Sequence, residues 1–172
     1  QNETGIPWLQ PSLPEESADL FEGFWALYVD GSSNSTGAGA GLVLVSPEGV
    51  VVEYVLCFKF STTNNGAEYE ALIVGLRIAK ELKVDRLRVY SDSQLVIGQV
   101  GGNFEAREES MMRYLGKVKS LTPAFDNFVI QHIPRTENTR ADFLSKLATS
   151  ALAELPKEVF LETLKYPTTE ES

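Results

Sequence analysis

The sequence predicts an α/β domain built on a five-stranded mixed sheet flanked by helices. Three observations carry that expectation. Residues 24–60 hold three β-type apolar runs in succession, separated by turn-forming residues. The apolar period then becomes helical. From Arg86 onward, strand-like runs alternate with helical ones, the pattern of parallel crossovers.

The first strand is expected over 24–30, aromatic and β-branched, with Asp30 at its last position. The loop "GSSNST" follows, and a turn-initiating aspartate is the ordinary reading of Asp30. "GAGLVLVSPEG" gives a second strand turning at Pro47-Glu48-Gly49, and "VVVEYVLCFKF" a third, so the three form an antiparallel meander. In "TNNGAEYEALIVGLRIAKEL", Leu72, Leu76, Ala79 and Leu82 mark a helix that Asn64 or Asn65 would cap. "RLRVYSDS" is a fourth strand, again ending in an aspartate, Asp92. "QLVIGQV" is a short helix broken at Gly101-Gly102, and "EAREESMMRYLGKVKSL" a longer one stopped near Pro123. "NFVIQHI" is the fifth strand, and "NTRADFLSKLATSALAEL" the last helix, with Asn138 as its cap.

The domain is expected over 23–150. An acidic arm containing Pro7, Pro11 and Pro14 precedes it over 1–22, where Trp8 and Leu9 could dock on a neighbour; a tail or connection follows over 151–172. The formal net charge of −9 speaks at first against a nucleic-acid partner. The acidity lies in the ends, however, and residues 23–152 carry 14 acids and 13 bases. Cys57 is the only cysteine, which excludes an internal disulfide and fits a small core residue. No apolar run approaches a membrane span, and the N-terminus lacks the basic and apolar regions of a secretory signal.

Sites in mixed sheets lie at the carboxyl ends of strands near a switch in topology, where Asp30 and Asp92 are expected. Glu68 precedes Leu72 by four residues and so shares the inward stripe, where an unpaired charge is costly. Asp142 lies in the last helix, four residues before Lys146, as in a surface ion pair. Each acid alone has a structural explanation. Together they suggest hard oxygen ligands for Mg²⁺ or Mn²⁺, and two-metal phosphoryl chemistry.

"YVDGSSN", "TTNNGAEYEAL", "VYSDSQLVIGQV" and "QHIPRTENTRADFLSKLA" resemble type I ribonuclease H, and within it the ribonuclease H domain of plant gypsy-like LTR-retrotransposon polyproteins. The match covers about 24–150. The resemblance implies the ribonuclease H-like fold and an endonuclease that cuts the RNA strand of RNA–DNA hybrids, leaving 3′-hydroxyl and 5′-phosphate ends. It places the metal-binding quartet on Asp30, Glu68, Asp92 and Asp142, which would hold two Mg²⁺ ions, with Mn²⁺ as a substitute. It sets His132, ten residues before Asp142 and the only histidine, in the place of the family's mobile histidine, for proton transfer or product release. Asn64 and Gln94 match its readers of the RNA strand, whose amides suit the 2′-hydroxyl. Ser32, Ser33 and Asn34 lie where its first loop approaches the nucleic-acid backbone, and turn chemistry explains them too. Asn138 matches the "EN" before the last acid, and its cap role explains it equally.

One departure stands out. The basic, Trp-containing protrusion of bacterial members has no counterpart in "GQVGGNFEAREESMMRYLGKV". Grip on the duplex would then be weaker or come from a neighbouring domain, with Arg107, Arg113, Lys117 and Lys119 as candidate backbone contacts. The resemblance also implies linked reverse transcriptase and integrase domains, and a setting in the cytoplasm, a virus-like particle or the nucleus, away from membranes. Two rivals are a catalytically silent spacer module of the same fold and another nuclease or transferase of the superfamily. All four acids are present, against the first; Asp30-Gly31-Ser32 is not the Asp-x-Glu of proofreading exonucleases, and the three-acid pattern of integrases, with its late helical Glu, fits less well than the quartet, against the second.

Overall fold

A computed structural model describes residues 20–150 and 155–170. Most of the arm expected over 1–22, including Trp8 and Leu9, lies outside the described residues, as do 151–154 and 171–172.

In chain order the elements are β1 (Trp25–Asn34), β2 (Gly37–Val45), β3 (Val51–Phe58), α1 (Asn64–Glu81), β4 (Arg86–Ser91), α2 (Gln94–Gly101), α3 (Glu109–Leu121), β5 (Asn127–His132), α4 (Thr139–Thr149) and β6 (Val159–Leu164). They form one sheet in the order β5-β4-β1-β2-β3-β6. β1, β2 and β3 make the antiparallel meander, and β4, β5 and β6 join it by parallel pairing. The sheet therefore has six strands, one more than expected. The sixth comes from the stretch read as a tail. Of its residues only Val159 is buried, so no alternation of apolar and polar residues announces it.

Alternation elsewhere sorts the core into two layers. Leu27 and Val29 of β1, Leu42 and Leu44 of β2 and Leu56 of β3 pack with Leu72 and Leu76 of α1 and Val118 of α3. Ala26, Val43, Val55 and Cys57 face the other way, onto Ala141, Leu144 and Leu147 of α4. Cys57 is a buried core thiol, as its sequence context predicts.

Two boundaries differ from expectation and shape the site. β1 does not stop at Asp30 but runs to Asn34, because Gly31–Asn34 pair with Ala40–Gly37 of the hairpin partner and the backbone ladder overrides turn propensity. α1 is capped by Thr63, whose hydroxyl accepts the Gly66 N–H at 3.0 Å, and not by Asn64 or Asn65. Glu68 is thus the fifth residue of the helix, one or two positions deeper than a cap at Asn64 or Asn65 would place it. Among the described residues, no helix is long and apolar enough to cross a membrane.

Candidate metal centre

The site begins where two neighbouring strands part. β1 pairs with β4 only as far as Tyr28 and Tyr90. Beyond that point β1 continues along β2, whereas β4 ends at Ser91. The gap lies at the switch between antiparallel and parallel neighbours, where ligand sites of such sheets form. Asp30 projects into it from β1, and Asp92 from the residue after β4.

Two helices close over this gap because glycines let them approach. A Cβ on Gly31 would lie 2.4 Å from the backbone of Ala67 and Glu68, so α1 reaches β1 beside Asp30 only over a residue without a side chain. A Cβ on Gly41, the β2 partner of Asp30, would lie 2.3 Å from the Ala141 carbonyl oxygen of α4. α1 thereby delivers Glu68, and α4 delivers Asp142.

Asp30, Glu68 and Asp92 each offer an oxygen, and these atoms lie within 4.8 Å of one another. A cleft of about 300 Å³ contains them together with Asp142, Arg135 and Lys146. Asp30 is 8% exposed and Glu68 3%. Burial, followed by the charges of Glu68, Asp92 and Asp142, pushes Asp30 up to about 8. Burial also pushes Glu68 up to about 7, against hydrogen bonds from Ser91 and Gly31 that favour its anion. Asp92 is raised too, first by burial, with Arg135 and His132 opposing. Asp142 has a different environment. Lys146 Nζ lies 3.1 Å and an Arg135 guanidinium nitrogen 3.4 Å from its two oxygens, so the expected helix ion pair is present with a second cation beside it. Clustered hard-oxygen donors that repel one another fit a divalent cation, whose charge offsets the repulsion.

The remaining predicted residues fall in several places. His132 ends β5, opposite Ser91 in the register, and its charge acts on Asp92 across one strand. Asn64 is exposed at the start of α1 and lines the cleft, its Oδ1 accepting the Ser33 N–H at 2.8 Å. Gln94 is exposed at the start of α2. Ser32 reaches the cleft and bonds Ser145 of α4 at 2.8 Å. Ser33 donates its hydroxyl to the Thr62 carbonyl, and Asn34 Oδ1 closes the hairpin by accepting from Thr36 and Gly37, which is turn chemistry. Asn138 is a correction. It precedes α4 as a cap residue would, but its side chain makes no capping bond. It is 2% exposed and donates its amide to the Val29 carbonyl at 2.9 Å. It ties the strand carrying Asp30 to the helix carrying Asp142 and has no surface to offer a substrate.

Sequence reading missed Ser91, whose hydroxyl bonds Glu68, and the cations Arg135 and Lys146 as parts of the cleft. It also missed Glu70, a wholly buried carboxylate that accepts from Tyr114 Oη at 2.6 Å and from the Thr168 N–H at 3.1 Å. Ser91 stands directly before Asp92, which is its only signal in sequence; Glu70 has none.

Comparison with known proteins places this geometry. The family model described as reverse transcriptase-like matches residues 28–148. The crystal structure of RNase H1 from Halobacterium salinarum superposes with a TM-score of 0.68 at 36% identity, over 73% of this chain and 97% of that one. The chain belongs to the type I ribonuclease H family. By sequence it is 37% identical to ribonuclease HI of that archaeon over 123 residues, 70% of this chain and 62% of the relative. The bifunctional protein Rv2228c of Mycobacterium tuberculosis is 34% identical over 92 residues, and this chain spans only 25% of it. LC11-RNase H1, a metagenomic protein from compost solved in complex with an RNA/DNA hybrid, superposes with a TM-score of 0.65 at 29% identity, over 76% of this chain and 99% of that one. In this member of the family, Asp30, Glu68 and Asp92 form an acidic cluster that could hold a metal ion where β1 and β4 part.

Proposed function

We propose that this ribonuclease H hydrolyses the RNA strand of RNA–DNA hybrids, with two Mg²⁺ ions held by Asp30, Glu68, Asp92 and Asp142 and with Mn²⁺ able to replace them. The observation that carries the reading is the set of three carboxylate oxygens within 4.8 Å, at the point where β1 and β4 part. A relative solved on an RNA/DNA hybrid supports the substrate class. When bound, the ions supply an activated water and a positive charge for the leaving oxygen.

The chain's own residues supply the rest. Asp30 anchors the centre from within β1 and Asp92 from the residue after β4, and Glu68 closes it from α1. Asp142, paired with Lys146 and Arg135, would complete the donor set. His132 holds or passes a proton beside Asp92. The Asn64 amide nitrogen stays available for a 2′-hydroxyl after its oxygen has taken the Ser33 N–H, and exposed Gln94 serves likewise. The products are 5′-phosphate and 3′-hydroxyl ends. A retroelement setting, with reverse transcriptase and integrase as linked domains, is the finer reading; it rests on the four motifs, and the relatives named above are archaeal, mycobacterial and environmental.

The test is cleavage of a labelled RNA–DNA hybrid in Mg²⁺ or Mn²⁺, beside Asp92→Asn. RNA-strand cutting by the wild type that is lost in the variant is the expected result. A folded wild type that cuts in neither metal, or equal cutting by both proteins, overturns the assignment.

A further inference from the structure

Glu68 enters the centre with both oxygens engaged. Oε1 accepts the Gly31 N–H at 2.9 Å, and Oε2 accepts the hydroxyl of Ser91. Ser91 in turn accepts the Ser93 N–H at 3.0 Å. An amide can only donate, so it takes a lone pair of the hydroxyl and leaves the hydroxyl proton for the carboxylate. The bonds run in one direction, from Ser93 to Ser91 to Glu68, and that direction favours Glu68 as an anion.

The placement matters as much as the direction. Ser91 and Ser93 bracket Asp92, so the bonds that shape the turn carrying Asp92 also fix Glu68 on α1. Ser91 is 1% exposed and cannot touch a nucleic acid. A serine here that served only to satisfy the Ser93 amide would bond within the turn; this one reaches 23 residues away to an acid of the centre.

We propose that Ser91 is a positioning residue, which sets the spacing of Glu68 against Asp92 and thereby the affinity of the centre for divalent cations. This rests on the metal-centre reading above. Residues that orient metal-binding side chains typically change metal affinity or activity about 10–100-fold when removed. The Gly31 amide holds the other oxygen, so removing Ser91 frees Glu68 to turn without releasing it.

The test uses Mn²⁺ as the probe, bound to wild type, Ser91→Ala and Ser91→Thr and followed by electron paramagnetic resonance, beside steady-state cleavage of a hybrid. Ser91→Ala is expected to weaken Mn²⁺ binding and lower kcat by about 10–100-fold with little change in KM. Ser91→Thr, which keeps the hydroxyl, is expected to restore most of both. Wild-type Mn²⁺ affinity in a folded Ser91→Ala protein overturns the proposal. So does a Thr variant no better than Ala. Should Ser91→Ala fail to fold, Ser91→Cys decides: its thiol is a weak donor, so intermediate binding supports the proposal and undiminished binding overturns it. A wild type that neither binds Mn²⁺ nor cuts overturns the metal-centre reading itself, a result distinct from any variant effect.

Discussion

Replacing Asp30 by Asn should stabilise the ion-free protein at alkaline pH while abolishing its activity. The structure supplies the magnitude. Burial and the neighbouring acids raise Asp30 from 3.8 to about 8. In the unfolded chain the group ionises near its ordinary value, so between those limits the folded state binds more protons than the unfolded one. Stability is therefore full below about pH 4 and is lost as the pH rises toward 8. Linkage over that interval sets an upper bound on the order of 5 kcal/mol. Two like charges within 4.8 Å at an effective interior dielectric of about 20 repel by roughly 3–4 kcal/mol, inside that bound. For a chain of this size that is about 6–15 °C in Tm. The assay is thermal unfolding in a chelating buffer at pH 4, 6 and 8. The Asn variant should gain on the wild type as pH rises, and excess Mg²⁺ should reverse the order by stabilising only the wild type. A gap between the two proteins that is the same at pH 4 and pH 8 would refute the reasoning, since the ionised carboxylate would then not be the source of the cost.

Three further outcomes are expected. Gly31→Ala forces a methyl into the backbone of Ala67 and Glu68, so it should cost about 1–3 kcal/mol in urea denaturation and reduce cleavage, and an unchanged midpoint would contradict the close approach of α1. Gly41→Ala should push α4 from the sheet and weaken Mn²⁺ binding through Asp142, which titration calorimetry would show; unaltered binding would mean that α4 has slack. Glu70→Ala should lose about 1–3 kcal/mol by leaving Tyr114 Oη and the Thr168 amide without their acceptor, whereas Glu70→Gln should retain more of the stability, and equal losses in chemical denaturation would count against that bond network.

The acids were legible in sequence for separable reasons. Asp30 and Asp92 each end or follow a β-type run and Glu68 lies on an apolar helical stripe, which marks their positions, while the resemblance of the four motifs joins them with Asp142 in one centre. Asn138 was misread because sequence position fixes a cap residue's backbone but not the direction of its side chain, which here turns inward to Val29. Glu70 escaped because its partners lie 44 and 98 residues away, beyond any local pattern. Gly31 and Gly41 escaped for another reason: they set how closely two helices approach the sheet by having nothing to display. β6 carries too little buried surface to show a strand period.

β6 also has a consequence for the order in which the chain can fold. It pairs with β3 but follows α4 in the chain, so it emerges during synthesis after the other five strands. Until it arrives, β3 is the outer strand of a nascent five-stranded sheet, with its backbone groups open to another chain. Such edges invite aggregation unless charge guards them. β3 carries Glu53 in its half-buried first half, and Arg140 of α4 grips that carboxylate with bonds of 2.6 and 2.9 Å. α4 precedes β6 in the chain, so this guard can be in place while the edge still waits for its strand.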